Sequence, residues 1–523
     1  MVLGNTLDKA YKLYASKPAI ICGNHRWTYG EFFERVKRLS SFLVSSGIGY
    51  DGKIAILHPN CHYFLETYYA AARIGAVSVP INFRLSPPEI AYILNHSESK
   101  LLVVDPMFKD QVDAIRAEIP GVTRILWTGQ GIDADLTYDP VLEQQNGTDQ
   151  PVDVAIGYED TAQIYYTSGT TGKPKGVMLS HKNVYVHALG TIAELHLTDS
   201  DVWVHVAPLF HLADAWATWA ITWVGGTHVI VRNFDPKTVF ETIQREKVTI
   251  TNLIPTMLNL MVNHPDVDSY DYRSLRVLLS GGAPIAPEIV RKIVETFKCE
   301  YVQTYGMTET SPYLTLSLLK GHLKNLSDHE QLSFKAKTGR EFIAVDLRVV
   351  NDQGEDVTPN ERDVGEIIVK GDIVTAGYWK APEETQKALK NGWLHTGDLA
   401  VIDSEGYVTI VDRKKDMILT GGENVYSTEV ENVLYMHAAI LECAVIGVAD
   451  EKWGEAVKAV VVLKSGQQVT EAEIIQFCKD RMAHYKAPKT VEFIEALPKT
   501  GSGKIQKKEL RDRYWKGRSK RVH

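Results

Sequence analysis

From Thr28 to Val104 short apolar runs alternate with stretches of helical period, and no other feature of the sequence restricts the fold so strongly. Thr28 and Glu31 have the spacing of a capping box, and Phe32, Val36, Leu39 and Leu43 then recur on one helical face before Gly47. Residues 54–57 read as a buried strand, 64–74 as a helix and 77–81 as a second strand. Pro87 and Pro88 open another helix, and 101–104 is a strand again. Strands separated by helices of this length predict βαβ units and a largely parallel sheet.

The rhythm resumes between 202 and 303, with strands expected at 229–231, 249–253 and 277–279. From about 344 to 411 the pattern becomes alternating strands, with turns at Asp352-Gln353-Gly354 and Ser404-Glu405-Gly406. After the charged run Asp412-Arg413-Lys414-Lys415-Asp416 a compact α+β pattern begins, with helices expected at 428–435 and 471–482 and strands at 444–448 and 457–463. At 523 residues the chain is too long for one ordinary core. The expected architecture is therefore α/β: a large N-terminal domain over 1–411, built of parallel α/β sheets plus a β-rich subdomain at 344–411. A hinge at 412–417 leads to a small, mobile α+β C-terminal domain at 418–523.

Composition narrows the function. A net charge of -8 argues against a nucleic-acid binder held by phosphate contacts. Five cysteines without CxxC spacing fit a reducing compartment. The N-terminal stretch carries Asp8, Lys9 and Lys12 in place of an apolar signal core. The most apolar run, 216–231, is interrupted by Gly225, Gly226 and His228 and is too broken for a membrane span. A cytoplasmic location is expected.

The clearest chemical signal is Tyr166-Thr167-Ser168-Gly169-Thr170-Thr171-Gly172-Lys173-Pro174-Lys175-Gly176. Glycines let a backbone approach phosphate oxygens closely, while hydroxyls, amides and lysines supply donors and charge. The spacing is not that of a Walker A loop, and the segment lies between two expected strands instead of opening a helix. Read alone, it could also be a Gly/Ser/Thr-rich surface turn.

Together with the motifs that follow it, this segment resembles the adenylate-forming superfamily: acyl- and aryl-CoA synthetases, luciferases and the adenylation domains of peptide synthetases. The likeness covers nearly the whole chain and implies ATP, Mg²⁺ and coenzyme A as co-substrates or cofactors. It places Thr167, Ser168, Gly169, Thr170, Thr171, Gly172 and Lys175 around the nucleotide phosphates, with Thr167 also toward the metal. In Pro208-Leu209-Phe210-His211, His211 resembles the residue beside the substrate carboxylate; Arg232 resembles a basic residue against the CoA nucleotide. Ser280-Gly281-Gly282-Ala283-Pro284 offers Gly282 and Ala283 as a flat backbone for adenine. In Gln303-Thr304-Tyr305-Gly306-Met307-Thr308-Glu309, the resemblance implies that Tyr305 stacks on adenine, Thr308 meets the α-phosphate and Glu309 helps bind Mg²⁺. Such a site suits an ion that keeps most of its waters.

Asp398, in Trp393-Leu394-His395-Thr396-Gly397-Asp398, resembles the aspartate that takes the ribose hydroxyls. Arg413 resembles the arginine on ribose and phosphate, and Lys415 falls at the hinge position. Lys504, in Lys499-Thr500-Gly501-Ser502-Gly503-Lys504, resembles the lysine that stabilises charge during adenylation. The family's second step implies a rotation that withdraws Lys504 and brings Gly421 and Gly422 to the pantetheine path.

The implied reaction joins a carboxylate to AMP with release of pyrophosphate, then passes the acyl group to CoA. A medium- or long-chain fatty acid is the first expectation and an aryl acid the second, from Trp216, Trp219 and Trp223 among alanines. The same stripe suits a plainly buried helix at least as well. Three other readings remain: a free-standing enzyme that loads a carrier protein, a luciferase-like oxidase, and a catalytically dead nucleotide-binding protein. The only expected partners are small molecules, with the question of a homodimer left open.

Overall fold

The computed structural model describes residues 2–129, 136–147, 154–167, 173–282, 285–500 and 504–515. Ser168, Gly169, Thr170, Thr171, Gly172 and Ala283 lie outside the described residues. The described residues form a mixed α/β protein with three sheets, two in the large N-terminal part and one in the smaller C-terminal part. Among them, no helix is long and apolar enough to cross a membrane.

The alternation at the start of the chain produces a seven-stranded sheet. Val77–Pro80, Lys53–Leu57, Leu101–Val104 and Arg124–Trp127 run parallel. Every residue of the Lys53–Leu57, Val77–Pro80 and Leu101–Val104 strands is buried, as sheets covered by helices on both faces require. The first long helix, Tyr29–Ser45, opens with the expected capping box: Thr28 Oγ1 accepts from the Glu31 amide at 3.2 Å, and Glu31 Oε2 accepts from the Thr28 amide at 2.7 Å. At one side of the sheet, Thr161–Thr167 and Lys175–Ser180 pair antiparallel, so the expected phosphate loop closes a hairpin.

A second, larger sheet changes character along its width. Pro18–Cys22, Thr227–Ile230, Val202–His205, Ile250–Leu253, Val277–Ser280 and Glu300–Gly306 run parallel. Beyond Glu300–Gly306 every successive pairing through Tyr313–Leu316, Gly339–Glu341, Tyr407–Arg413, Trp393–Ile402, Gly365–Lys370 and Asp346–Val350 is antiparallel. The antiparallel set thus begins upstream of residue 344 and is continuous with the parallel strands. Its first members are three and four residues long, too short to show a clear alternation.

The third sheet gathers Ile418–Thr420, Glu423–Val425, Ile440–Asp450, Gly454–Leu463 and Thr490–Phe493. Its main apolar cluster includes Ile418, Val430, Val445, Val457, Ile474 and Val491. Asp412 and Arg413, read from sequence as the start of a linker, still belong to the Tyr407–Arg413 strand because both pair with residues of Trp393–Ile402. Trp216 and Trp219 are each 1% exposed; Trp216 lies edge-on to Trp203 at 5.0 Å, and Trp219 packs against Tyr69 at 4.7 Å. These two indoles form core, which was the plainer of the two sequence expectations.

Candidate active site

The strand at which the large sheet turns from parallel to antiparallel carries the first part of the site. Its register shifts between Tyr305 and Gly306. A side chain at Gly306 would meet the Pro312 carbonyl at 1.8 Å, so the backbone can pass there only as glycine. Tyr305 donates its hydroxyl to Asp398 Oδ2 at 2.7 Å. Asp398 faces Arg413 in cross-strand register, with Arg413 Nε 3.7 Å from Asp398 Oδ1. Burial raises the Asp398 pKa, and the Arg413 charge opposes that shift. A hydroxyl, a carboxylate and a guanidinium are therefore held together by sheet geometry.

Nearby side chains from the same motif are engaged within the protein. Gln303 Oε1 accepts from the Tyr301 hydroxyl, and Thr304 Oγ1 donates to the Ser280 carbonyl at 3.1 Å. A side chain at Gly281 would lie 2.1 Å from Thr304 Oγ1, which explains the first glycine of that pair. Gly282 has φ +89°, a backbone conformation that favours glycine.

The second part surrounds Glu309, in the short turn Thr308–Thr310. Glu309 is 7% exposed and accepts from the Tyr378 hydroxyl at 2.8 Å. Burial pushes its pKa up, while the Lys175 and Lys504 charges pull it down. Lys175 stands opposite Thr167 at the end of the hairpin, pairs with Glu384 and lies 5.4 Å from the centre of the Tyr378 ring. Among the described residues no group of three metal-ligating side chains occurs. A buried carboxylate beside the hydroxyl-bearing end of a hairpin still fits Mg²⁺, which needs few protein ligands.

Lys504 joins the two parts. Its Cε lies 3.3 Å from the position a Cβ would take on Gly282, and Asp398 and Glu309 both act on its charge. Burial, reinforced by Arg413, lowers its pKa to about 8 against those two carboxylates. The backbone is braced by Thr500, whose amide donates to the Lys504 carbonyl at 2.7 Å and whose Oγ1 accepts from the Lys504 amide at 3.1 Å.

His211 belongs to the same neighbourhood. Its Nδ1 accepts from the Ala213 amide at 3.1 Å, capping the turn Leu212–Ala215 and leaving Nε2 to carry the ring proton. Burial, then the Lys504 charge, lowers its pKa to about 3, so the ring is neutral at physiological pH.

Arg232, Gly421 and Gly422 stand apart from this group, whereas Lys415 feels the Arg413 and Asp398 charges. Arg232 pairs with Asp105 at 2.7 Å and is about half exposed. Gly421 and Gly422 form the tip between Ile418–Thr420 and Glu423–Val425, with φ of +61° and +88°. Lys415 follows the strand end, where burial and then the Arg413 charge lower its pKa.

Two features escaped the sequence reading. Tyr378 reaches Glu309 because Gly377–Tyr378 pairs with residues 177 and 178, about two hundred positions away. A buried chain also runs from Asp214 to His205 (2.8 Å), His228 (2.9 Å) and Thr222 (2.9 Å), lacing the turn after His211 to two strands and the next helix. No local motif marks either one. The apolar surroundings of Asp214 were the single available clue.

The model of the AMP-binding enzyme family matches residues 7–379, and that of the AMP-binding enzyme C-terminal domain matches 429–504. The chain is 38% identical to a feruloyl-CoA synthase from Amycolatopsis over 98% of its own length and 99% of that protein. It is 37% identical to a long-chain-fatty-acid–CoA ligase of Mycobacterium tuberculosis, over 94% of this chain and 93% of the relative. The solved structure of an anthranilate CoA ligase in complex with anthranoyl-AMP superimposes with a TM-score of 0.89 at 26% identity, covering 98% and 97% of the two chains. ATP, Mg²⁺ and CoA are the small molecules this family uses. The chain belongs to the AMP-binding enzyme family, and within the adenylate-forming superfamily it stands with the AMP-forming acyl-CoA ligases.

Proposed function

We propose that this enzyme activates an aryl or arylalkyl carboxylic acid, with a fatty acid as the second choice, and that the residues around Lys504 carry the first step. The observation behind the residue roles is the position of Lys504 over Gly282, with Asp398 and Glu309 both acting on its charge. A carboxylate oxygen attacks the α-phosphorus of ATP, the bond to the β-phosphate oxygen breaks, and pyrophosphate leaves with the electron pair. Two anions must meet, so the protein's main task is to supply positive charge and alignment.

In this reading Tyr305 stacks on adenine, Asp398 takes the ribose hydroxyls, and Arg413 reaches the ribose and α-phosphate. Thr167 and Lys175 hold the outer phosphates, and Thr308 contacts the α-phosphate. Glu309 and Thr167 would hold Mg²⁺, which supplies charge neutralisation across the phosphates. His211, neutral and with its proton on Nε2, donates to the incoming carboxylate. The CoA thiol, after losing its proton, then attacks the acyl carbon and AMP leaves. For that step the small domain (418–523) turns about Lys415 in the hinge (412–417) against the large one (1–411), withdrawing Lys504 and presenting the Gly421–Gly422 tip. Arg232 meets the CoA nucleotide after exchanging its partner Asp105.

The order of substrates is the reverse of the sequence expectation. Two of the three tryptophans that suggested an alkyl chain or an aryl ring, Trp216 and Trp219, are packed as core, so they favour neither acid. Aryl acids are named for the feruloyl-CoA synthase and the anthranilate ligase, and an arylalkyl acid for an indoleacetate–CoA ligase of Aromatoleum aromaticum that is 36% identical. The test is pyrophosphate release with ATP, Mg²⁺ and a panel from acetate through octanoate and palmitate to benzoate, phenylacetate and cinnamate, with and without CoA. CoA-dependent turnover strongest on an aryl member is expected. Strongest turnover on palmitate would sink the substrate order, and release indifferent to CoA would point to a carrier protein as acceptor.

A further inference from the structure

The hairpin that carries Thr167 and Lys175 is tied, on its other face, to the end of a helix that none of the site residues belongs to. Tyr166 pairs with Gly176, and Thr167 with Lys175. Successive side chains of a strand point to opposite faces, so Tyr166 turns away from the face of Thr167 and Lys175. Gly176 makes room for it: an added Cβ there would lie 2.8 Å from Ile164 Cγ2 and 3.2 Å from Tyr166 Cζ.

On that outer face the Tyr166 hydroxyl meets His96 Nδ1 at 2.8 Å. A phenol and a neutral imidazole can each donate or accept, so the contact holds in either tautomer of the ring. His96 lies in the last turn of the helix Pro87–Ser97. Its carbonyl, one of the four that a helix end leaves unsatisfied, accepts from Trp379 Nε1 at 2.9 Å. The Trp379 amide in turn donates to the Gly176 carbonyl at 2.7 Å. One turn back along the helix, Tyr92 stacks on the His96 ring at 5.2 Å, and its hydroxyl donates to the Pro174 carbonyl at 3.4 Å. Both limbs of the hairpin are therefore fixed to one helix end, and His96 stands where the three ties meet.

We propose that His96 is a positioning residue for the triphosphate: by holding Tyr166 and Trp379 it sets where Thr167 and Lys175 present their hydroxyl and ammonium groups. The inference rests on the reading that those two residues hold the outer phosphates of ATP. His96 acts through the hairpin from its other face. The demand for placement is sharp at Lys175, because Glu384 already competes for its ammonium. A hairpin that drifts leaves the cation with that carboxylate, and a misplacement of about 1 Å can cost about a hundredfold.

The experiment separates the outer phosphates from the rest of the nucleotide. Calorimetry follows the binding of the α,β-methylene analogue of ATP with Mg²⁺ and, separately, of AMP, so no acid need be known. In His96→Leu the analogue should bind about tenfold more weakly, with AMP within about twofold of the wild type. Tyr166→Phe removes one oxygen and keeps the ring. It should show the same selectivity by a smaller factor, and it carries the test if His96→Leu fails to fold. The double variant should bind the analogue no more weakly than His96→Leu, because the two side chains make one contact. His96→Asn, which keeps a polar atom near the place of Nδ1, should recover most of the affinity. Equal weakening of the analogue and AMP, or no weakening in either variant, would overturn the proposal and leave the ligase reading intact. A wild-type protein that binds neither nucleotide would bring down that reading and this refinement with it.

Discussion

Lys504 and Lys507 are three residues apart, and the protein treats their charges in opposite ways. Burial lowers the Lys504 pKa to about 8, and Asp398 and Glu309 only partly oppose the shift. Burial also works against the Lys507 charge, but Glu431 and Asp412 reverse it and hold the pKa above its ordinary value. Lys507 Nζ lies 2.7 Å from Glu431 Oε1 and 2.6 Å from Ser427 Oγ. Asp412 accepts from the Ser427 amide at 2.6 Å, and Arg511 binds Asp416, so the helix Lys507–Trp515 is pinned to the start of the hinge segment. One cation is fully partnered and structural. The other is kept under-partnered, as the role proposed for Lys504 requires.

Removing the partnered cation should have the largest effect. Lys507→Met leaves Glu431 and Asp412 buried without their cation, and breaking one side of such a pair costs about 3–5 kcal/mol. Hydrogen exchange of the C-terminal sheet should report that loss; a change below about 1 kcal/mol would place Lys507 with ordinary surface pairs. Lys504→Ala should do the reverse. Adenylation, followed by ATP–pyrophosphate exchange, should slow by about a hundred- to a thousandfold, or roughly 2.7–4 kcal/mol of barrier. The fold should not suffer. A lysine whose pKa is depressed below 10.5 destabilises the native state while charged, and that penalty fades as pH rises from about 8 toward 10.5. A melting temperature lowered in Lys504→Ala at pH 7 would erase the contrast.

The same contrast has a pH signature. If adenylation needs the Lys504 cation, kcat/KM for ATP should decline above pH 8, by about tenfold per unit once the lysine is mostly neutral. Lys504→Arg should carry that limb beyond pH 10, and an unmoved limb would assign it to another group. His211 cannot supply it, because burial keeps the ring neutral well below this range. The smallest effect is expected at Gly421, whose φ is +61° and whose added Cβ would sit 2.8 Å from the Trp453 ring. Gly421→Ala should cost about 1–3 kcal/mol of local strain. Rapid-quench measurement should find thioester formation slowed several-fold, with pyrophosphate exchange affected much less.

How much of this could be read in advance depended on distance along the chain. The capping box at Thr28 and the βαβ rhythm act over a few residues and were plain in the sequence. So was the pairing of the two strands that flank the expected phosphate loop, because apolar runs lie directly on either side of it. The contact between Tyr378 and Glu309 depends on a two-residue strand pairing far upstream, and no local pattern announces that. The chain from Asp214 through His205 and His228 draws on four separate elements, each ordinary alone. Trp216 and Trp219 taught a different lesson: a helix apolar on most sides looks the same whether it faces substrate or core.

The site's position along the chain also sets an order of assembly during synthesis. Tyr305, Glu309, Asp398 and Arg413 are all made before the strands that carry Lys504 into place. A ribosome that has extruded the two large sheets has therefore released the residues proposed to hold purine and ribose without the cation proposed to split ATP. The ion pairs of Lys507 and Arg511, which anchor the segment after that cation, are made later still. An enzyme built in this order has the residues proposed for purine and ribose before the one proposed to spend the nucleotide.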